Sequence, residues 1–185
     1  MEAVTGWYAG FGMEAVEDHR AYAPNILAFA VLTASDSRDE TDDRSGSVIA
    51  ELLQAAGHRL VARQVLPDEI EIIRSATEAL VENSEVDVIV LTGGTGLSPR
   101  DISVEAVSPL LKRKVEGFGE LFRMLSYQEV GAAAMLSRAC AGVSGRTAMF
   151  VVPGSPKAAK LAMESLILPE IGHLLGQLRR SESPR

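Results

Sequence analysis

One stretch decides the fold class: VDVIVLTGGTG, residues 86–96. Its largely apolar and β-branched first half, residues 86–91, predicts a strand that is buried on both faces of a sheet. The strand runs directly into residues 92–96, Thr-Gly-Gly-Thr-Gly, where three glycines let the backbone turn its N–H groups toward one concave surface. Two threonine hydroxyls add neutral donors, and a downstream helix start adds a partial positive field. The loop therefore suits a phosphate group, although a glycine-rich turn without a ligand would have the same pattern.

On either side of this stretch, strand patterns alternate with helix patterns. Apolar runs at residues 26–32, 58–66 and 147–152 predict three more strands. Helical patterns fill the segments between and after these strands, dominate residues 103–146, and end near residue 178. This alternation predicts an α/β fold of three layers, in which a mostly parallel sheet is covered by helices on both faces.

Ligands in such folds bind at the carboxyl ends of the strands, near a point where the strand order reverses. The polar loops of this sequence fall at those places, after Thr33, Leu66, Leu91 and Val152. The last of them, Pro-Gly-Ser-Pro at residues 153–156, offers free backbone N–H groups and a serine hydroxyl. We therefore expect a phosphorylated small molecule to bind between the loops at this edge.

Two aspartates lie on these loops, and each has two interpretations. Asp68 forms a capping-box-like pair with Glu71, and Asp101 precedes a predicted helix, so each could cap a helix. Each could instead hold Mg²⁺ against bound phosphates, because this ion prefers oxygen ligands. Ser137 and Arg138 offer a hydroxyl and a guanidinium that could serve either a phosphate or a subunit contact.

The composition limits the class of partner. Lysine and arginine number 18 against 25 aspartates and glutamates, for a net charge of −7 and a pI near 5.0. Such a chain is a poor candidate for binding nucleic acid or an anionic membrane, and no apolar run approaches the roughly 20 residues of a membrane span. We interpret Lys112, Arg113 and Lys114 as a solvated helix end, and the single cysteine, Cys140, as a small buried apolar residue. The N-terminus lacks a secretory signal, so we expect a cytoplasmic protein.

The same patterns indicate one domain, residues 25–178, with two flanking segments. Residues 1–24 mix glycines, aromatics and acids without a clear period. We expect them to be an extension that is either disordered or docked on a neighbouring subunit. Residues 179–185 are predicted to be a frayed tail.

Several common catalytic motifs are missing from the sequence. No lysine follows the last glycine of residues 92–96, so the loop is not a Walker A, and the GxGxxG spacing of dinucleotide folds is missing. A nicotinamide-dependent enzyme is therefore disfavoured, and a titration showing no NAD binding would exclude it. His19, His58 and His173 are scattered without metal-ligand spacing, and no Ser-His-Asp or Cys-His set can be assembled.

A series of motifs runs through the domain in one order. They are Thr-Ala-Ser-Asp at residues 33–36, Asp-Arg-Ser-Gly at 43–46, Leu-Pro-Asp-Glu at 66–69, Thr-Gly-Gly-Thr-Gly at 92–96, Arg-Asp at 100–101, Glu-Gly-Phe-Gly-Glu at 116–120, Leu-Ser-Arg-Ala at 136–139 and Pro-Gly-Ser-Pro at 153–156. With these motifs the chain resembles the MoaB/Mog family of molybdenum cofactor biosynthesis proteins over about residues 25–175. The motif at residues 116–120 and the run at 122–127 make it more similar to the MoaB subtype.

The resemblance implies a reaction, the adenylylation of molybdopterin by Mg-ATP with release of pyrophosphate. Two carboxylates that are important in active family members match Asp68 and Asp101, which the resemblance makes the catalytic and Mg²⁺-binding residues. It also implies transfer of the product to a molybdenum-inserting enzyme, and assembly into trimers, which in the MoaB subtype often pair into hexamers. The alternative is a non-catalytic pterin- or nucleotide-binding oligomer, because some MoaB-type relatives lack one or both carboxylates. The residues assigned to binding molybdopterin and ATP are Thr33, Ser35, Asp36, Gly46, Thr92, Gly93, Gly94, Thr95, Gly96, Ser137, Arg138, Pro153, Gly154 and Ser155.

Overall fold

In the computed structural model, which describes residues 26–180, six strands form one mixed sheet. They are β1 (Ala28–Ala34), β2 (Arg59–Leu66), β3 (Val88–Thr92), β4 (Arg113–Lys114), β5 (Cys140–Ser144) and β6 (Thr147–Val152). Their order across the sheet is β2-β1-β3-β6-β5-β4. The first four strands in that order pair in parallel, whereas β5 and β4 are antiparallel additions at one edge. The predicted extension, residues 1–24, and the predicted tail beyond residue 180 lie outside the described residues.

Helices cover both faces of this sheet. Within the described range they are α1 (Arg44–Ala55), α2 (Ile70–Glu82), α3 (Ser103–Val107), α4 (Glu116–Val130), α5 (Pro156–Ala162) and α6 (Leu168–Arg180). Two 3₁₀ turns, Ser108–Leu110 and Gly131–Leu136, follow α3 and α4, and a π-helical turn, Met163–Ile167, joins α5 to α6. Each helix between residues 26 and 180 is too short or too polar to span a membrane.

The central strands are apolar on both faces because each face packs against helices. On β1, Phe29 and Val31 point into a core shared with α1, α4, α5 and α6, whereas Ala30 and Leu32 point into a second core shared with α2 and α3. Ile73 of α2 is fully buried in the second core, and burial of such a side chain contributes about 2 kcal/mol. The predicted three-layer α/β fold is therefore confirmed.

The register of the parallel strands brings their carboxyl ends to one edge of the sheet. Thr33 of β1 pairs with Thr92 of β3, and Thr92 pairs in turn with Val152 of β6. On the other side, Ala34 of β1 pairs with Leu66 of β2. The four polar loops expected at the ligand edge therefore follow neighbouring strands and lie side by side.

The prediction that helices dominate residues 103–146 misses two strands. Residues 140–144 form β5, which makes a hairpin with β6 through Gly145, whose φ is 57°. Arg113 and Lys114 form the exposed edge strand β4, so they are not a helix end. Cys140 is only half-buried, and burial raises the pKa of its thiol.

The last helix is also longer than expected. α6 continues to Arg180, so residues 179 and 180 are helical and do not belong to the predicted tail. Arg179 explains the extension, because its guanidinium forms an ion pair with Asp87 at the start of β3. Asp87 also accepts a hydrogen bond from the backbone N–H of Ala28 at 2.9 Å. This contact ties the end of α6 to the amino end of the sheet.

Candidate functional site

The glycine loop after β3 has a backbone that only glycine adopts without strain at two positions. Gly93 and Gly94 have φ values of 103° and 61°, in the left-handed region. A Cβ on Gly93 would lie 2.4 Å from the carbonyl oxygen of Ala34, and one on Gly94 would lie 2.3 Å from Ser103 Oγ. The loop is also joined to the turn after β6, because Thr92 Oγ1 donates to the carbonyl of Pro153 at 3.0 Å.

These two turns and the loop after β1 line an open cavity of about 500 Å³ at the carboxyl edge of the sheet. Its walls carry backbone groups, hydroxyls and one carboxylate, a set that suits a phosphorylated ligand. The predicted site residues that line it are Ser35, Gly93, Gly94, Thr95, Gly96, Asp101, Ser137, Pro153, Gly154 and Ser155. The structure therefore brings together most of the binding residues expected from the sequence.

Arg38 lines the same cavity, and the sequence analysis did not single it out. Its Nη1 donates to the carbonyl of Gly154 at 3.1 Å, which holds the guanidinium across the opening between two loops. A positive charge here complements a phosphate. The signal available in the sequence was an arginine in the loop after β1, among the acids Asp36, Asp39 and Glu40.

Neither of the two candidate aspartates caps a helix. The N-cap of α2 is Glu69 and that of α3 is Ile102, and neither makes a side-chain capping hydrogen bond. Asp101 accepts from the backbone N–H of Ser98 at 2.9 Å and faces the cavity. The capping alternative is therefore wrong for both Asp68 and Asp101.

Asp68 lies just outside the cavity lining, close to Asp101. Burial and the neighbouring negative charge of Asp101 together raise the pKa of Asp68 above its usual value. The loop of Asp68 is fixed by Asp36, because each residue donates its backbone N–H to the carboxylate of the other. Asp36 in turn forms an ion pair with Arg100, the neighbour of Asp101.

Two carboxylates that repel each other beside a cavity suited to a phosphorylated ligand fit Mg²⁺. The described residues contain no cluster of three or more His, Cys, Asp or Glu side chains able to hold a metal ion. Mg²⁺ does not need one, because it commonly takes one or two carboxylates and completes its shell with water and substrate phosphates. The donor set formed by Asp68 and Asp101 has this character.

Thr33 and Gly46 do not line the cavity, and both bind the carboxylate of Asp43 next to the loop after β1. The Thr33 hydroxyl and the Gly46 N–H both donate to the carboxylate of Asp43, at 3.0 and 2.9 Å. Arg63 adds an ion pair to this carboxylate at 2.9 Å. Burial by itself would raise the pKa of Asp43, but these hydrogen bonds and the Arg63 charge hold it below its usual value. The cluster fixes the start of α1 beneath the loop after β1.

Two other predicted residues also have structural partners. Arg138 directs its guanidinium to the carbonyls of Gly96 and Asp101 and to Glu105, away from a direct ligand role. Ser155 lines the cavity, and its Oγ caps α5 by accepting from Ala158 N–H at 3.1 Å.

Known proteins are similar to this chain over nearly all of the described domain. A family model described as "Probable molybdopterin binding domain" matches residues 30–173. Molybdenum cofactor biosynthesis protein B of Bacillus cereus is 45% identical over 166 residues, which are 89% of this chain and 98% of that protein. A crystal structure of molybdenum cofactor biosynthesis protein B has a TM-score of 0.82 at 46% identity, covering 85% of this chain and 99% of that one. The tungsten cofactor synthesizing protein MoaB of Pyrococcus furiosus has a TM-score of 0.75 at 39% identity, over 85% and 99% of the two chains.

Proposed function

The chain belongs to the MoaB/Mog family of molybdenum cofactor biosynthesis proteins, and we propose that it is an Mg-ATP-dependent molybdopterin adenylyltransferase. The product would be adenylyl-molybdopterin, which a molybdenum-inserting enzyme of the same pathway consumes. One observation carries the proposal: Asp101 lines a cavity built from glycine-rich turns and lies near enough to Asp68 for the two negative charges to repel each other.

The cavity supports the binding half of the proposal. Backbone N–H groups of the glycine loop and the Ser137 hydroxyl would hold phosphate oxygens, because such donors recognise phosphate without a full positive charge. Arg38 supplies the positive charge at the opening toward Gly154. The volume of about 500 Å³ is within the range of small-molecule sites.

The two aspartates support the chemical half. In the reaction, a molybdopterin phosphate oxygen forms a bond to the α-phosphorus of ATP, and the bond to the β-phosphate breaks as pyrophosphate leaves. A phosphate nucleophile is already ionised at neutral pH, so the chain needs no strong general base, in agreement with a cavity that no histidine lines. Mg²⁺ held by Asp68 and Asp101 would neutralise charge on the transferring group. The remaining work of the protein is to orient the two substrates.

A second candidate is a non-catalytic molybdopterin- or nucleotide-binding oligomer. One observation favours it: Asp68 lies outside the cavity lining and its carboxylate already accepts a hydrogen bond from the Asp36 N–H. In this alternative the aspartate pair would only stabilise the loops. Ligand binding without turnover would distinguish it.

Self-association is part of the proposal. Leu121, Met124, Tyr127 and Val130 are spread across the solvent-facing half of α4, and each is between 47% and 63% exposed. Met135 and Leu136 extend this surface to the cavity, which Leu136 lines. Apolar side chains grouped in this way are typical of subunit contacts. We propose that this α4 surface joins copies into a trimer or a pair of trimers.

The deciding experiment mixes the purified protein with molybdopterin, ATP and Mg²⁺ and follows pyrophosphate release and adenylyl-molybdopterin formation. We expect product that disappears when Mg²⁺ is omitted. Tight molybdopterin binding without product, at any Mg²⁺ concentration, would reject the transferase and leave the binding oligomer.

A further inference from the structure

Arg138 ties both ends of the loop that carries Asp101 to the body of the domain. Its Nε donates to the carbonyl of Gly96 at 2.7 Å, and its Nη2 donates to the carbonyl of Asp101 at 2.6 Å. Its backbone N–H also donates to the carbonyl of Thr95 at 3.0 Å. One residue therefore contacts the last turn of the glycine loop and the backbone of a proposed Mg²⁺ ligand.

The loop between these contacts has little other support. Residues 97–100 are exposed, and the internal bonds of the loop are short-range ones, such as those between Ser98 and Asp101 at 2.9 Å. Arg100 reaches Asp36 through an ion pair whose members are 65% and 42% exposed, and such exposed pairs contribute little. Besides the hydrogen bond from the Ser103 N–H to the Gly94 carbonyl at 3.1 Å across the base of the loop, the half-buried Arg138 contacts attach its two ends to the domain.

Glu105 completes the arrangement from α3. It forms an ion pair with Nη1 of Arg138, and the hydrogen bond from Arg138 lowers the pKa of Glu105. Glu105 therefore neutralises the guanidinium charge of Arg138, so this charge is not left unpaired for a ligand phosphate. Only the planar arginine fork can reach these three acceptors at once, because a lysine ammonium is a single point charge.

The attachment of this loop by Arg138 affects the distance between the carboxylates of Asp68 and Asp101. Asp68 and Asp101 repel each other, and a mobile loop would let Asp101 move away until a cation arrives. We infer that Arg138, oriented by Glu105, is a positioning residue that holds Asp101 beside Asp68 and so preforms the Mg²⁺ site. The catalytic consequence rests on the proposed transferase activity, whereas the attachment of the loop does not.

The first test needs neither metal nor substrate. Trypsin cleaves after Arg100, in the middle of the exposed loop, and cleavage requires that the loop open locally. We expect Arg138→Met to be cut after Arg100 roughly 10-fold or more faster than the wild type, with the site identified by mass spectrometry. Arg74→Met is the matched control, because Arg74 also pairs with a glutamate and a carbonyl, Glu71 and Ala106, and its side chain is 29% exposed against 27% for Arg138.

The second test measures the Mg²⁺ requirement. Arg138→Met should raise the Mg²⁺ concentration for half-maximal adenylyl transfer about 10- to 100-fold, the usual effect of removing a group that orients a metal ligand. The KM for ATP at saturating Mg²⁺ should change little. Arg138→Lys should behave like Arg138→Met, and Glu105→Gln should give a smaller shift in the same direction. Arg74→Met should match the wild type.

The outcomes separate this inference from the proposed function. Equal trypsin rates and equal Mg²⁺ requirements for Arg138→Met and Arg74→Met would overturn the positioning role while leaving the transferase intact. If the wild-type protein forms no adenylyl-molybdopterin, the proposed transferase activity is rejected. The trypsin comparison would still show whether Arg138 attaches the loop. If Arg138→Met does not fold, Glu105→Gln provides the same comparison with a smaller perturbation.

Discussion

Asp36 and Asp68 hold each other by reciprocal hydrogen bonds, in which the N–H of each donates to the carboxylate of the other at 3.1 and 3.0 Å. Asp36 follows β1 and Asp68 follows β2, so these hydrogen bonds join the two loops at the carboxyl edge of the sheet, beside the cavity. Through its ion pair with Arg100, Asp36 also reaches the loop of Asp101. Both proposed Mg²⁺ ligands are therefore connected to one residue that does not itself line the cavity.

Replacing Asp101 with asparagine should stop the reaction and leave the fold unchanged. The amide oxygen can still accept the Ser98 N–H, but the negative charge is lost, so we expect adenylyl transfer to fall about 100-fold or more. Molybdopterin binding and oligomer size should be nearly unchanged. Because the repulsion from Asp101 disappears, the pKa of Asp68 should also fall, and NMR titration of its carboxyl carbon would measure this.

Glu78→Gln, which removes an exposed charge on α2, is the control for this experiment. Full activity in Asp101→Asn would remove the carboxylate mechanism. An unchanged Asp68 pKa in that variant would show that the two carboxylates do not interact.

The sequence predicts the parallel half of this molecule better than its antiparallel edge. Strands β1, β3 and β6 are continuous apolar runs because helices cover both faces, and such runs are recognisable without a structure. β5 is built from Cys-Ala-Gly-Val-Ser, small residues that show neither strand nor helix periodicity. Its strand state comes from pairing with β6 across the turn at Gly145, and the Ser-Gly pair at residues 144–145 is the one local sign of that turn.

The site shows the same division between local and long-range information. The glycine loop and the two aspartates are predictable because φ angles and loop chemistry restrict the residue types there. The direction of a long side chain is not predictable in this way: the sequence leaves Arg138 open between a phosphate and a subunit contact, and the two carbonyls that its guanidinium binds are visible only in the structure. Arg38 was missed for the same reason, since its contact to Gly154 spans 116 residues of sequence.

Removing Arg63 should destabilise the domain. Arg63→Met leaves the buried carboxylate of Asp43 with its Thr33 and Gly46 donors but without its ion pair. Breaking a buried pair costs about 3–5 kcal/mol, and because Arg63 is 26% exposed we expect a smaller loss, about 2 kcal/mol. Urea unfolding would measure it. Arg74 pairs with the exposed Glu71, so Arg74→Met should reduce the free energy of unfolding by well under half of that amount. Equal reductions in the two variants would show that burial of Asp43 does not strengthen its ion pair.

The low pKa of Asp43 should also make the domain sensitive to acid. Because the folded state holds this pKa below the unfolded value, the stability from Asp43 is present above the unfolded pKa and is lost as the pH falls through the folded one. The free energy of unfolding between about pH 5 and pH 2 should therefore fall less steeply in Asp43→Asn than in the wild type. Asp42→Asn controls for the loss of one exposed charge. Parallel slopes in Asp43→Asn and wild type would contradict the assignment.

Charges on the α4 surface should separate the proposed subunits. Met124 and Val130 are 55% and 59% exposed, so Met124→Glu/Val130→Glu should reduce the mass measured by light scattering while leaving the helical circular dichroism unchanged. Ile72→Glu is the control, because Ile72 is an apolar residue 39% exposed on α2, away from this surface. An unchanged mass in the double variant would show that α4 is not the contact.

Gly94 should be irreplaceable for two separable reasons, and a double-mutant cycle with Ser103 can measure each. Gly94→Ala places a Cβ 2.3 Å from Ser103 Oγ and also requires alanine at a φ of 61°, so we expect a loss of about 1–3 kcal/mol in unfolding free energy. Ser103→Ala alone should be neutral or slightly stabilising, because the Ser103 hydroxyl is buried without a hydrogen-bond partner. In the double variant the contact with the hydroxyl disappears while the backbone strain stays, so only part of the loss should be recovered.

Gly117→Ala is the control for this cycle, since no atom lies within 4 Å of its added Cβ and it sits within α4; alanine should be neutral or stabilising there. Molybdopterin binding provides a second measurement on the same variants. The φ strain distorts the N–H groups of the loop, so Gly94→Ala and the double variant should both bind about tenfold or more weakly, even where stability is partly restored. Full recovery of binding in the double variant would show that the hydroxyl contact alone makes glycine necessary, and that the left-handed backbone does not.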